Sequence, residues 1–270
     1  METTLSNRFF AMFDIIGFSN LVKTMGTEAL FKQFSKSVIR SIQYAATNGF
    51  IEQDRVGYKV SVPDLSKLRV NYQIFSDTII FYTKDNSWNS FFDIIVTAVK
   101  LMTFSFYSPG PFRGAIGYGD LMTNEFNVMI GTSVIDAYTG EQEQVWSGCM
   151  LTKKCEEFCE EQNYFKFYEK VFSSRIEELI NEGADVDEID TKKEWLTAVV
   201  KYDVPKQRKI TKDEIDYYFE NHFVINWTHW VGTAVDIGKV FIPSEISHHK
   251  KIKNNTLDFE KWARSKYKIN

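Results

Sequence analysis

The chain has 270 residues, a net charge of −4 and a pI near 5.7, with 44% hydrophobic residues. That is ample for one large core, and the acidic balance excludes a nucleic-acid backbone as partner unless a local basic patch exists. Three cysteines (Cys149, Cys155, Cys159) are an odd, sparse set, which argues for a reducing compartment and buried thiols rather than a disulfide framework or a zinc site. No basic start leads into an apolar run, and no stretch of about 18 apolar residues occurs. The expectation is a cytoplasmic protein with no membrane partner, whose 16% aromatic residues fill a core and a dimer interface.

Residues 8–13 (RFFAMF) read as a buried strand ending at Asp14. The turn Ile15-Ile16-Gly17-Phe18-Ser19 follows, then helical stretches near 20–25 and 28–47, the second stopped by Asn48-Gly49. Residues 50–67 are polar, contain Pro63 and read as loop with a short strand. Strands are expected over 68–75 and 78–83, with Ser76-Asp77 as a tight hairpin tip. A helix over 88–107 ends at Pro109-Gly110-Pro111. A strand over 112–118, a further strand near 126–130 and a helix over 133–144 complete the first part.

The order β-α-β-β-α-β specifies an α+β, ferredoxin-like antiparallel sheet with helices on one face. Beyond it, 152–193 reads as a charged helical arm, 195–202 and 223–227 as strands, and 255–268 as a polar helix. The whole chain is then one domain with an elaboration: a core of about 8–150 plus the strands near 195–227. The basic run HHKKIK at 248–253 reads as a solvated turn before the last helix. His222 and His229, flanking FVINWTHW, read as packing residues, and Asp120 as a turn residue.

Two aspartates carry the chemistry. Asp14 ends the first strand, and Asp77 tips the hairpin that lies beside it in such a sheet, so both carboxylates can project from one end. Paired carboxylates repel unless a cation sits between them, and hard oxygen ligands suit Mg²⁺ or Mn²⁺. The N–H groups of the turn around Gly17, at a helix start, favour phosphate oxygens. Arg113 begins the next core strand and can add charge for a polyphosphate. Together these imply phosphoryl chemistry. Gln73 shares a strand face with Asp77; its amide can pair with uracil or, flipped, with cytosine.

The series FDIIGFS, FSDTIIFYT and FRGAIGYGD resembles the catalytic series of class III nucleotidyl cyclases. The resemblance implies two divalent metal ions, Mn²⁺ or Mg²⁺, held by Asp14, the backbone carbonyl of Ile15, and Asp77. It implies a triphosphate on the 16–19 turn (Ile16, Gly17, Phe18, Ser19) and on Arg113, and a homodimer with active sites at the subunit interface. Two departures stand out. Gln73 occupies the position of a Lys or Glu in the purine enzymes. Ile135 and Thr139 stand where the family's transition-state Asn and Arg are expected. The segments IGTSVIDAYTGEQEQVWSGCML, KYDVP and FVINW are similar to the pyrimidine cyclases of bacterial Pycsar antiphage defence. That likeness implies cyclisation of UTP, or alternatively CTP, to a second messenger for a separate effector. A purine cyclase and a degenerate domain that only binds nucleotide are the competing readings.

Overall fold

Alternation along the first strand divides the molecule into its layers. In β1 (Thr4–Ile15), Phe9, Ala11, Phe13 and Ile15 point to one face, and Phe10, Met12 and Asp14 to the other. The first set is buried in the main core; Phe10 is buried in a smaller cluster with Leu121 and Ala137. A sheet covered on both faces follows from that pattern. The computed structural model describes residues 4–124, 128–211, 214–232, 234–241 and 247–269.

After β1 come α1 (Phe18–Met25), α2 (Thr27–Lys36) and α3 (Val38–Ala46). The single helix expected over 28–47 is broken at Ser37, whose hydroxyl donates back to the Gln33 carbonyl at 2.8 Å, a bond that bends helices. The polar stretch expected to be mostly loop is instead a hairpin, β2 (Phe50–Arg55) with β3 (Tyr58–Pro63), forming a separate two-stranded sheet.

The core hairpin is β4 (Asn71–Phe75) and β5 (Thr78–Tyr82); α4 (Trp88–Ser105) and β6 (Phe112–Thr123) follow. Ser87 caps α4, accepting from the Ser90 N–H at 3.3 Å. The strand order β4-β5-β1-β6, with every pairing antiparallel, is the arrangement expected from the sequence. β7 (Met129–Ile130) pairs with the end of β6; residues 126–127 of that expected strand lie outside the described residues.

One helix departs from the single helical layer. α5 (Thr132–Glu143) lies on the opposite sheet face, where Ala137 meets Phe10 and Leu121. Gly117 permits this: a Cβ there would come within 2.8 Å of the Ala137 nitrogen. β8 (Cys149–Leu151) then joins β6 in parallel, and the hairpin of β9 (Val199–Lys209) and β10 (Ile215–Ile225) extends the sheet beyond it. Trp195 and Leu196, expected in a strand, end a helix instead.

The arm is α6 (Lys153–Glu161), α7 (Tyr164–Glu182) and α8 (Val186–Leu196). Aromatic rings dock it. Trp88, Phe91 and Phe92 of α4 meet Tyr164, Phe165, Phe167, Tyr168 and Phe172 of α7 at centroid distances of 4.7–6.4 Å, and Phe158 stacks on Tyr118 at 3.8 Å. Cys149, Cys155 and Cys159 are free and buried, as expected.

The last elements are α9 (Ile237–Val240) and α10 (Ser247–Tyr267). Phe259 of α10 is fully buried against Trp146 and Trp227. Asn255 donates to the Val145 carbonyl at 2.6 Å, and the Thr256 hydroxyl accepts from the Ser147 N–H at 2.8 Å. α10 begins eight residues before the expected helix, so the HHKKIK run is helical. Among the described residues no helix is long and apolar enough to cross a membrane.

Candidate active site

Strand register brings the acids together. Asp14 pairs with Thr78 on one side and with Arg113 on the other. Asp77 precedes Thr78 in the two-residue turn, where Ser76 takes a φ of 56°, a left-handed conformation that non-glycine residues adopt at a cost. The Asp77 carboxyl lies within hydrogen-bonding reach of the Asp14 carboxyl. Burial, then buried Glu141, then Asp77 push the Asp14 carboxyl up from 3.8 to about 6, against the pull of Arg113.

Ile15 completes this end. Phe9 accepts from the Thr83 N–H on the β5 side, whereas Ile16 donates to the Pro111 carbonyl on the β6 side. Strand alternation therefore directs the Ile15 carbonyl to the β5 side, just past the last ladder pair, Asp14–Thr78. Two crowded carboxylates and a carbonyl at a strand end are a hard-oxygen donor set. These residues fit Mg²⁺ or Mn²⁺. Among the described residues there is no cluster of three or more His, Cys, Asp or Glu side chains that could hold a metal, so the remaining ligands would come from phosphate or water.

The turn after Asp14 is arranged for an anion, with one correction. Gly17 sits at φ 78°, ψ 18° and opens α1, a left-handed position suited to glycine. The Ile16 amide, expected to bind phosphate, is already taken by the Pro111 carbonyl at 2.9 Å. Among the described residues no carbonyl or side chain takes the N–H groups of Gly17, Phe18 and Ser19, so these three amides remain free.

Arg113 is held more tightly than its sequence setting suggests. It is 8% exposed, and its Nε and Nη2 both donate to Oε1 of fully buried Glu141 at 2.6 Å. Nη1 donates to the Gln144 carbonyl at 3.0 Å, and Nη2 lies 3.9 Å from the Asp14 carboxylate. The grip leaves one N–H on each terminal nitrogen. Sequence reasoning missed Glu141. It lies in the polar run GEQEQ, and only the crossing of α5 over the sheet turns its side chain inward.

Gln73 pairs with Ile80, which pairs with Met12, placing it on the sheet face that carries Asp14. Its Nε2 is buried with no hydrogen-bond partner, an arrangement that costs stability unless a ligand or partner completes it. On the same face, Phe75 is 81% exposed beside the hairpin tip. Ile135 and Tyr138 project from α5 into solvent, and Thr139 lines a polar cleft with Glu143, Lys206 and Glu220.

The other singled-out residues lie apart from this cluster. His222 is buried between Glu156 and Glu220, at 3.3 and 3.0 Å. His229 meets the Thr197 hydroxyl at 2.7 Å. Asp120 accepts from the backbone and hydroxyl of Thr132.

Comparison with known proteins locates the fold. No protein-family profile matches the sequence, and no curated protein matches it. Solved structures do. The adenylyl cyclase CyaB from P. aeruginosa is 10% identical over 84% of this chain and 97% of its own, with a TM-score of 0.44. The monomeric guanylyl cyclase domain of the RhoGC fusion protein from the aquatic fungus Blastocladiella emersonii is 11% identical over 60% and 90%, with a TM-score of 0.46. The catalytic core of a rhodopsin-guanylyl cyclase with converted specificity, in complex with ATPαS, is 8% identical over 83% and 98%, with a TM-score of 0.50. Such low identity speaks to fold alone, and on that last likeness the chain has the fold of a class III nucleotidyl cyclase catalytic domain.

Proposed function

We propose that the protein is a homodimeric nucleotidyl cyclase that converts a pyrimidine nucleoside triphosphate, UTP before CTP, into its 3′,5′-cyclic monophosphate and pyrophosphate. The observation that carries this reading is the Asp14–Asp77 pair beside three free amides, on a fold shared with cyclase catalytic cores.

In this reading Asp14, Asp77 and the Ile15 carbonyl bind two divalent cations, Mn²⁺ or Mg²⁺. Bound there, the cations would favour loss of the ribose 3′-hydroxyl proton and stabilise charge on the departing pyrophosphate. The residues themselves supply position. The amides of Gly17, Phe18 and Ser19 hold phosphate oxygens. Arg113, fixed by Glu141, sets the orientation of Asp14 and offers its two remaining N–H groups to the polyphosphate. Gln73 places its unpaired Nε2 against the base: O4 of uracil, or N3 of cytosine after an amide flip. A second copy of the chain covers the face bearing Phe75, Ile135 and Tyr138 and completes each site. The preference for UTP, and a role for the product as a second messenger to a separate antiphage effector, are supported by the sequence likeness of the 130–151, KYDVP and FVINW segments.

The test is a panel of the four ribonucleoside triphosphates with Mn²⁺, products assigned by mass spectrometry. Cyclic UMP as the main product is the expected result. Cyclic CMP, or a cyclic purine product, would reassign the base pocket. Nucleotide binding without any cyclic product would overturn the enzymatic reading in favour of a binding module.

A further inference from the structure

Gly17, whose amide is free, borders a cleft of about 480 Å³ that is lined on the same side by Ile16, Asn20 and Pro111. Its other side is built from the end of the chain: Lys239 of α9 and His249, Lys250 and Lys253 of α10. None of the described residues lining it is a carboxylate. Lys239 pairs outside the lining with Asp236 at 3.2 Å, whereas Lys250 and Lys253 have no acidic partner among the described residues.

Two features make this more than a surface run of lysines. First, the position of α10 is fixed by packing. Ile252 is 2% exposed and Phe259 is fully buried, and Asn255 and Thr256 are bonded to the 145–147 segment. The α10 start is thereby held against the β1–α1 turn. Second, the charges are on the wrong end of the helix. The first turns of α10 carry Lys250, Lys251 and Lys253 and the first turn has no acidic residue, although a helix N-terminus is already positive and favours anions. Lys251 is accommodated over the Tyr217 ring; Lys250 and Lys253 have nothing comparable. Burial, and then the charge of Arg113, hold the His248 pKa below its ordinary value. Lysines on one wall and the free Gly17 amide on the other, in the turn that follows Asp14, give this cleft the chemistry of an anion site.

We propose that Lys250 and Lys253, with Lys239 beside them, bind the distal phosphates of the nucleoside triphosphate in this cleft, so that the C-terminal helix of the same chain closes the phosphate side of the active site. The assignment rests on the cyclase reading for the identity of the substrate, but not for the anion-binding chemistry itself.

The experiment is calorimetric titration of the full chain with inorganic tripolyphosphate in Mg²⁺ buffer. The parent is compared with Lys250→Ala/Lys253→Ala, its milder counterpart Lys250→Gln/Lys253→Gln, and a control, Lys261→Ala, further along α10. Loss of charge-assisted bonds at two lysines should weaken tripolyphosphate binding at least about tenfold in both double variants and flatten its salt dependence, with the control unchanged. Thermal melting and tryptophan emission from the Trp146–Trp227–Trp262 cluster around Phe259 report whether α10 stays docked. A docked double variant that binds tripolyphosphate within about twofold of the parent, or a parent that does not bind it, overturns the proposal. The two readings fail separately. Lysine-dependent tripolyphosphate binding in a protein that cyclises none of the four nucleotides keeps the cleft and removes the cyclase. Cyclisation with lysine-independent binding keeps the cyclase and removes the cleft.

Discussion

Replacing Asp77 with Asn should make the metal-free protein more stable and at the same time inactive. Asp14 and Asp77 sit within hydrogen-bonding reach, no lysine pairs with either among the described residues, and Arg113, 3.9 Å from Asp14, is already committed to Glu141. Two unit charges about 4 Å apart repel by about 1 kcal/mol in water and about 4 kcal/mol at the effective dielectric of a protein surface. The Asp14 side chain is 28% exposed, which places the relief in the lower half of that range, about 1–2 kcal/mol. For a chain of this size, that is a rise in melting temperature of roughly 2–8 °C. The assay is thermal unfolding of parent and Asp77→Asn at pH 7.5, with chelator and then with Mn²⁺. With chelator the variant should melt higher. Saturating Mn²⁺, at about 100 times its Kd, should stabilise the parent by about 2.7 kcal/mol and the variant far less. Turnover in the variant should fall about 10³-fold or more, about 4 kcal/mol of barrier. A metal-free variant less stable than the parent, or one that Mn²⁺ stabilises as fully, would refute the reasoning.

Three further outcomes follow from the same cluster. Glu141→Gln leaves the buried Arg113 without its counter-charge and should destabilise the fold by about 2–4 kcal/mol in denaturant titration; because Glu141 raises the Asp14 pKa, NMR titration should show that pKa moving down. Folding raises the Asp14 value from 3.8 to about 6, so the folded state holds this proton more tightly than the unfolded chain. Through this group the metal-free protein loses stability as pH rises across that window. Mn²⁺ competes with the same proton, so its affinity should fall about tenfold per pH unit below about pH 6 in calorimetry at fixed ionic strength. Gln73→Leu removes a buried unpaired donor and should leave the protein as stable as the parent or about 1 kcal/mol more stable, while kcat/KM for the preferred nucleotide drops at least about tenfold.

Much of the sheet was legible because strand patterning is local. RFFAMF, the TIIFY run and FRGAIGYG are apolar stretches bounded by turn residues, and they became β1, β5 and β6 in the expected order. The meeting of Asp14 and Asp77 followed from that order alone, since a hairpin inserted beside the first strand puts its tip at that strand's end. What was not legible depends on tertiary contact. The 50–63 hairpin is easy to miss because β2 (FIEQDR) turns polar after two residues and leaves the alternating β3 (YKVSVP) without a partner of the same pattern. Glu141 looks like a solvated helix residue until α5 crosses the sheet. Ile16 looks like a phosphate donor until Pro111 occupies its amide. The start of α10 is a basic run, HHKKIK, whose pattern suggests a solvated turn. It is helical because Ile252, Thr256 and Phe259 are anchored in the interior.

The central claim is that the carboxylates of Asp14 and Asp77 share divalent cations, and anomalous diffraction tests it most directly. Crystals grown with Mn²⁺ and a non-cyclisable UTP analogue should show anomalous peaks between the two carboxyl groups, about 2.0–2.3 Å from their oxygens, with the triphosphate against Gly17, Phe18 and Ser19. Manganese bound only elsewhere, or a triphosphate seated away from this turn, would contradict it.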